Sequence, residues 1–220
     1  MILIELTGSE QHPVYKYLEV SNGDRQYDFL RSLVVAAIAL NKPLLSQTVI
    51  KSFNFLAIGC LHTNAGEYRP CPVYVGTYVP PEHYRVQALM DDFVNEVNRR
   101  WDALNAITLA SYVLWRLNLI HPFINGNGRT ARAACYYVLC LKLGGLLRGS
   151  PILPELLKLN RDEYVRCLQL VDVSAQAGAL NLGPLDDLLM RLLAEQLAST
   201  EASATAPPPI TPSFLALAPP

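Results

Sequence analysis

Residues 131–145, ARAACYYVLCLKLGG, constrain the fold more than any other stretch of this chain. From Ala133 to Leu143 the run is apolar almost all round, whereas a surface helix keeps a polar stripe. A helix of that kind has no face to offer water. It belongs in the middle of the fold, with the other elements wrapped round it. Gly144-Gly145 supplies a C-terminal stop.

Helical periodicity predicts the elements that wrap it. Residues 27–40 are apolar-rich and stop near Asn41 and Pro43. Ser46 is placed to cap a second helix carrying Val49, Ile50, Phe53, Ala57 and Cys60 or Leu61 on one face. After Pro80-Pro81-Glu82, the set Val86, Leu89, Met90, Phe93, Val94 and Val97 follows the i, i+3, i+4, i+7 rule. A fourth helix is expected over residues 101–118, with Leu104, Ile107, Leu114 and Leu117 inward. Beyond the central helix, one begins near Asn160, with Glu163 three residues on as an imperfect capping box. The last spans residues 185–197, with Asp186 and Asp187 in the first turn, where the helix dipole favours them.

One segment departs from this pattern. Val73, Tyr74, Val75, Gly76, Thr77, Tyr78 and Val79 are β-formers around a central glycine and predict a small hairpin. From residue 199 onward, STEASATAPPPITPSFLALAPP reads as a disordered Pro/Ala-rich tail. The expectation is an all-α chain with a small β-hairpin. It has an N-terminal helical extension (residues 1–45), a main domain (46–198) and the tail (199–220).

Composition narrows the function classes. Hydrophobic residues make up 51% and charged residues 17% of the 220, which describes a globular chain. A net charge of −1 argues against a general nucleic-acid or membrane surface, since both favour a basic excess. The start, MILIELTGSE, lacks the basic and apolar regions of a signal peptide, and no apolar run approaches a membrane span. The five cysteines form no CxxC pair, so buried free thiols in a reducing cytoplasm are expected.

The chemistry concentrates in residues 121–132, HPFINGNGRTAR, which lead into the central helix. Gly126-Asn127-Gly128 permits a tight backbone path whose N–H groups converge at the helix start, where anions are attracted. Arg129 and Arg132 are three residues apart and share one face of the first turn. Together they make a cradle for a polyphosphate. His121 stands on the other side of the loop. With an ordinary pKa of about 6.5 it suits a general base, and a base beside a phosphate cradle suggests attack by a hydroxyl on phosphorus.

This loop resembles the signature of the Fic family of protein nucleotidyl transferases, H-x-F-x-D/E-G-N-G-R-x-x-R, at every fixed position but one. AGEYR (residues 65–69) resembles the GxYR before that family's active-site hairpin, VYVGTYVPPEHYRVQALMDDFVNEVN resembles the hairpin and following helix, and RDEYVRCL (161–168) resembles a later helix. The likeness covers roughly residues 46–170 and implies the family's helical fold with a hairpin flap. It implies that His121 deprotonates a Ser, Thr or Tyr hydroxyl of a target protein. Gly126, Asn127 and Gly128 would bind the α- and β-phosphates of a nucleotide, most simply ATP, and Arg129 and Arg132 the outer ones. Residues 73–79 would register the target segment by main-chain pairing. Tyr164 would border the nucleobase or pack within its helix.

The departure is Asn125, where the family has the Asp or Glu that holds magnesium. An amide oxygen still ligates Mg²⁺ but brings no charge, so a weaker metal site is expected. Three readings stay open: an enzyme of reduced rate, a different co-substrate, or nucleotide binding without transfer. Transfer of a phosphate or phosphocholine group fits less well, because the GNG is kept. Many members of the family also carry an inhibitory helix of pattern S/T-x-x-x-E-G/N. The nearest match, Thr63-x-x-x-Glu67, is followed by Tyr68 and belongs to AGEYR, so no internal inhibition is assigned; restraint by a separate partner or by oligomerisation stays open.

Overall fold

A computed structural model describes residues 2–76 and 78–205, with side chains as far as Ser199. Nine α-helices are described: α1 (Leu3–Thr7), α2 (Pro13–Ala39), α3 (Gln47–Ile58), α4 (Val86–Arg99), α5 (Ala106–Ile120), α6 (Asn127–Lys142), α7 (Leu153–Leu159), α8 (Arg161–Gln176) and α9 (Gly183–Thr205). The central helix is α6, as its sequence requires. Every residue from Ala133 to Leu141 is buried, and α5, α3, α2 and α7 pack round it. T-shaped contacts run from Phe29 of α2 through Phe53 of α3 to Tyr137 of α6, with centroids 6.1 and 5.8 Å apart.

Side-chain caps set several helix starts. Ser46 Oγ accepts from the Val49 N–H at 3.2 Å. Asn105 Oδ1 accepts from the Thr108 N–H at 2.9 Å, so α5 begins at Ala106 and not at the expected residue 101. The helix expected over residues 27–40 is longer, running from Pro13. Its first half escapes apolar periodicity because its buried face carries amides. Asn22 Nδ2 donates to the Gly59 carbonyl at 3.0 Å and Gln26 Nε2 to the Phe53 carbonyl at 2.7 Å. Leu30 and Val34 of α2 lie in the same buried cluster as α3 and α6, so the core runs across the expected boundary at residue 45.

Two further expectations change. No β-strand occurs among the described residues. Val75 and Tyr78 exchange N–H···O bonds of 3.1 and 3.0 Å, and the pairing stops there. Gly76 turns the corner at φ +58°, and Thr77 lies outside the described residues. Two strands with no third strand beside them are marginal, so the β-formers stay extended with one closed pair. The tail also begins later than residue 199, because α9 continues to Thr205. Residues 198–205, ASTEASAT, are alanine-rich and favour helix until the prolines at 207–209. Ser199 closes this end by accepting from the Ser150 N–H at 2.9 Å. Residues 206–220, including PPPITP, lie outside the described residues. Cys135, Cys140 and Cys167 are buried as expected, whereas Cys60 and Cys71 are exposed; none is in a disulfide. Among the described residues no helix is long and apolar enough to cross a membrane.

Candidate active site

His121 closes α5. It sits in the left-handed region at φ 51°, ψ 59°, with its N–H bonded to the Leu117 carbonyl at 2.9 Å. A non-glycine residue is uncommon there and needs surrounding contacts to hold it. The next segment is locked by Phe123, fully buried, and by Asn127. The Asn127 amide accepts from the Phe123 N–H and donates to the Phe123 carbonyl, both at 2.9 Å. That side chain braces the loop, so toward a phosphate Asn127 offers its backbone N–H.

The chain then turns at Gly126, φ +74°. A Cβ at Gly126 would stand 2.5 Å from Ile58 Cγ2 and 3.1 Å from Asn54 Nδ2, so both conformation and space demand glycine. Asn54, fully buried on α3, donates to the Asn125 carbonyl at 2.9 Å and accepts from the Gly66 N–H at 3.0 Å. The first N–H to bond within α6 is that of Thr130, to the Gly126 carbonyl. The N–H groups of Asn127, Gly128 and Arg129 are therefore left at the helix start without intrahelical acceptors.

A cavity of about 830 Å³ opens at this point, lined by His121, Asn125, the glycine turn, Arg129 and Arg132, with Tyr74 and Val75 also on its wall. The loop thus brings together every residue expected for base and phosphate cradle. Burial pushes the His121 imidazole down to about 4, helped by the Arg69 charge and opposed by a hydrogen bond to the Asn118 backbone. At neutral pH the ring is uncharged and able to take a proton. Burial also lowers the Arg132 pKa, and the charges of Arg129 and Arg161 act the same way. Arg132 is half-buried on the cavity wall, and among the described residues it has neither a hydrogen bond nor an ion pair, so its charge is available to an anion.

Position 125 does not fit a divalent cation. The Asn125 Oδ1 already accepts from the Gly126 N–H at 2.6 Å and from Arg129 Nη2 at 3.1 Å, and its Nδ2 donates to Glu10 at 3.1 Å. A metal ion on that oxygen would stand against a guanidinium. No group of three or more His, Cys, Asp or Glu side chains suited to a metal occurs among the described residues.

Several functional contacts escape sequence reasoning. Glu19 of α2 stands 3.3 Å from Arg129 Nη1, while the Arg129 guanidinium also donates to the Ala57 carbonyl at 3.0 Å. Glu67, on which the inhibitory pattern landed, instead pairs with Lys51 at 2.9 Å. The only sequence trace of Glu19 is Tyr15-x-x-x-Glu19-Val20, which departs from that pattern at both ends. Tyr164 is buried and accepts from Asn118 Nδ2 at 2.7 Å, so it packs and does not border the cavity. Arg69, the last residue of AGEYR, donates through Nε to the His121 carbonyl at 2.9 Å.

With this geometry, comparison with known proteins is specific. Residues 44–139 match the Fic/DOC family. The chain is 35% identical over 109 residues to a protein named protein adenylyltransferase Fic of Drosophila persimilis, covering 49% of this chain and 20% of that one. The Drosophila grimshawi protein of the same name is 34% identical over the same length, with 49% and 21% covered. The chain thus spans about a fifth of the length of the curated relatives it matches. Among solved structures, a Fic domain containing signaling protein from Bacteroides thetaiotaomicron superposes with TM-score 0.68 at 21% identity, covering 91% of this chain and 79% of that one. Fic-1 from C. elegans superposes with TM-score 0.69 at 22% identity, covering 92% and 57%. At that identity the structures establish the helical fold, and the match over residues 44–139, which contain the signature loop, is to the Fic/DOC family.

Proposed function

We propose that this chain transfers a nucleoside monophosphate, most simply AMP from ATP, to a Ser, Thr or Tyr hydroxyl of a target protein. One observation carries the reading: uncharged His121 and the unpaired, half-buried guanidinium of Arg132 line one cavity at an open helix start. The name of the relatives, protein adenylyltransferase, supports it. In the step, the hydroxyl oxygen attacks the α-phosphorus and its proton passes to the imidazole of His121. The new O–P bond forms as the bond from the α-phosphorus to its bridging oxygen breaks, and that electron pair leaves on pyrophosphate. The N–H groups of residues 127–129 hold a phosphate, and Arg132 and Arg129 offset the charge that builds on the leaving group. Val73, Tyr74, Val75, Gly76, Tyr78 and Val79 offer main chain to an extended target segment. Magnesium belongs to the proposal as the nucleotide's own counter-ion; no step is assigned to it through Asn125. Five cysteines without a disulfide fit a reducing cytoplasm as the working place.

Incubation with ATP labelled at the α- or the γ-phosphate tests this. Label should reach protein from the α position only, and His121→Ala should abolish it. Absence of α-label on the protein itself and on lysate proteins, in Mg²⁺ and in Mn²⁺, would refute it. A second reading, a nucleotide-binding module with little or no transfer, is favoured by the Glu19–Arg129 ion pair, which engages one of the two phosphate ligands. It predicts nucleotide binding without label and indifference to His121→Ala.

A further inference from the structure

Arg69 is 3% exposed, and among the described residues no carboxylate stands within ion-pair distance of its guanidinium, the Glu82 charge acting on it only from farther off. A charge buried without a counter-ion is costly unless hydrogen bonds satisfy it. Here they do, and all go to main-chain carbonyls of three separate segments. Nε donates to His121 at 2.9 Å, Nη1 to Cys71 at 3.2 Å, and Nη2 to Pro81 in a short contact. The Arg69 N–H adds a bond to the Pro122 carbonyl at 2.9 Å.

These acceptors are not an arbitrary set. Cys71 and Pro81 are the two roots of the flap segment, and His121 and Pro122 are the junction between α5 and the signature loop. The C-terminal arm of the segment is tied to the same place, since Tyr78 Oη donates to the Leu119 carbonyl at 2.6 Å, two residues before His121. The His121 carbonyl also belongs to a residue in the left-handed region, a conformation that persists only when neighbours enforce it. A planar guanidinium is the side chain able to hold three such acceptors in one fixed fork.

We propose that Arg69 is a positioning residue that joins His121 to both roots of the flap segment, so that base and target-docking segment keep one register. This rests on the proposed transfer reaction, in which the flap holds the target hydroxyl near the His121 ring. Arg69 is not among the residues lining the cavity, so the phosphate cradle should not depend on it.

The test uses the full chain with Arg69→Met, which keeps an apolar stem without a buried charge, and Arg69→Lys, which keeps the charge and loses the fork. The readouts are the His121 ring titration by NMR, the affinity for a fluorescent ATP analogue without metal, and the thermal midpoint. The proposal expects the His121 midpoint in Arg69→Met to rise by about one pH unit or more, as the positive charge leaves and the ring gains solvent. ATP-analogue affinity should stay within about twofold in both variants. An unmoved His121 midpoint overturns the proposal, and so does a loss of affinity that parallels it, since that marks general disruption. Should both variants fail to fold, the wild-type protein decides. The Arg69 Nε–H should exchange with water about 100-fold more slowly than that of exposed Arg31, and equal exchange overturns the proposal. Failure to bind the ATP analogue at all would sink the transfer reading while leaving the titration and exchange results to judge Arg69.

Discussion

Acidification should destabilise this protein through His121, and His121→Asn should remove that share. Burial holds the folded-state pKa at about 4 against an ordinary 6.5. The folded pKa is depressed, so between those values the unfolded chain binds more protons than the folded one. Stability is therefore unaffected by this group above about pH 7, and falls as pH drops from 6.5 toward 4. Two populations of the unprotonated ring, weighted by those pKa values, put the loss at about 2 kcal/mol at pH 5 and about 3 kcal/mol at pH 4. Asparagine is the suitable replacement because it tolerates the left-handed conformation that His121 adopts at φ 51°. His62, whose pKa is also lowered by burial, remains in both proteins and cancels in their difference. Urea unfolding of the two proteins at pH 7.5, 6, 5 and 4.5 gives that difference directly. The wild type should lose about 2 kcal/mol relative to His121→Asn between pH 7.5 and pH 5. A difference that stays constant over that range would refute the argument that the ring is buried and uncharged.

Two further perturbations address the loop's neighbours. Asn125→Asp turns the 3.1 Å amide contact with Glu10 into two facing carboxylates; Glu10 is about half exposed and can turn away, and Arg129, 3.1 Å from the Asn125 oxygen, offsets part of the repulsion, so at most about 1 kcal/mol of destabilisation in chelator is expected. Glu10→Gln should restore it in the double variant, Mg²⁺ with ATP should stabilise Asn125→Asp more than the wild type, and thermal unfolding reads each arm; an undiminished midpoint in the single variant argues against the contact. Glu19→Gln releases Arg129 from its 3.3 Å ion pair, so ATP should bind about 3–10-fold more tightly, as titration calorimetry would show. Unchanged affinity would mean that Glu19 does not compete with phosphate.

The helices with clean apolar periodicity lie where their spacing put them. Val86, Met90, Phe93 and Val97 form the buried face of α4, and Ser46 caps α3 as its hydroxyl suggested. The first half of α2 was hidden for a physical reason: Asn22 and Gln26 are buried because carbonyls of α3 and its C-cap meet their amides, and no hydropathy pattern encodes a partner on another helix. The hairpin expectation failed at the level of pairing. β-propensity describes a residue that fits a pleated surface, and among the described residues no third strand supplies one.

What the sequence determined by itself is the loop at residues 121–132 and the central helix it opens. Both are local: a glycine where φ must be positive, two arginines at helical spacing, and an apolar run with no face for water. Only the tertiary structure decided how that loop is occupied. Glu19 on Arg129, Glu10 on Asn125 and Arg69 on His121 each join residues separated by 52 positions or more in the chain. Such contacts depend on how helices and loops are brought together, and on which buried charges find a partner there. Arg132 finds none among the described residues, and it is on that unpaired charge in the cavity, more than on the motif that contains it, that the proposed anion site rests.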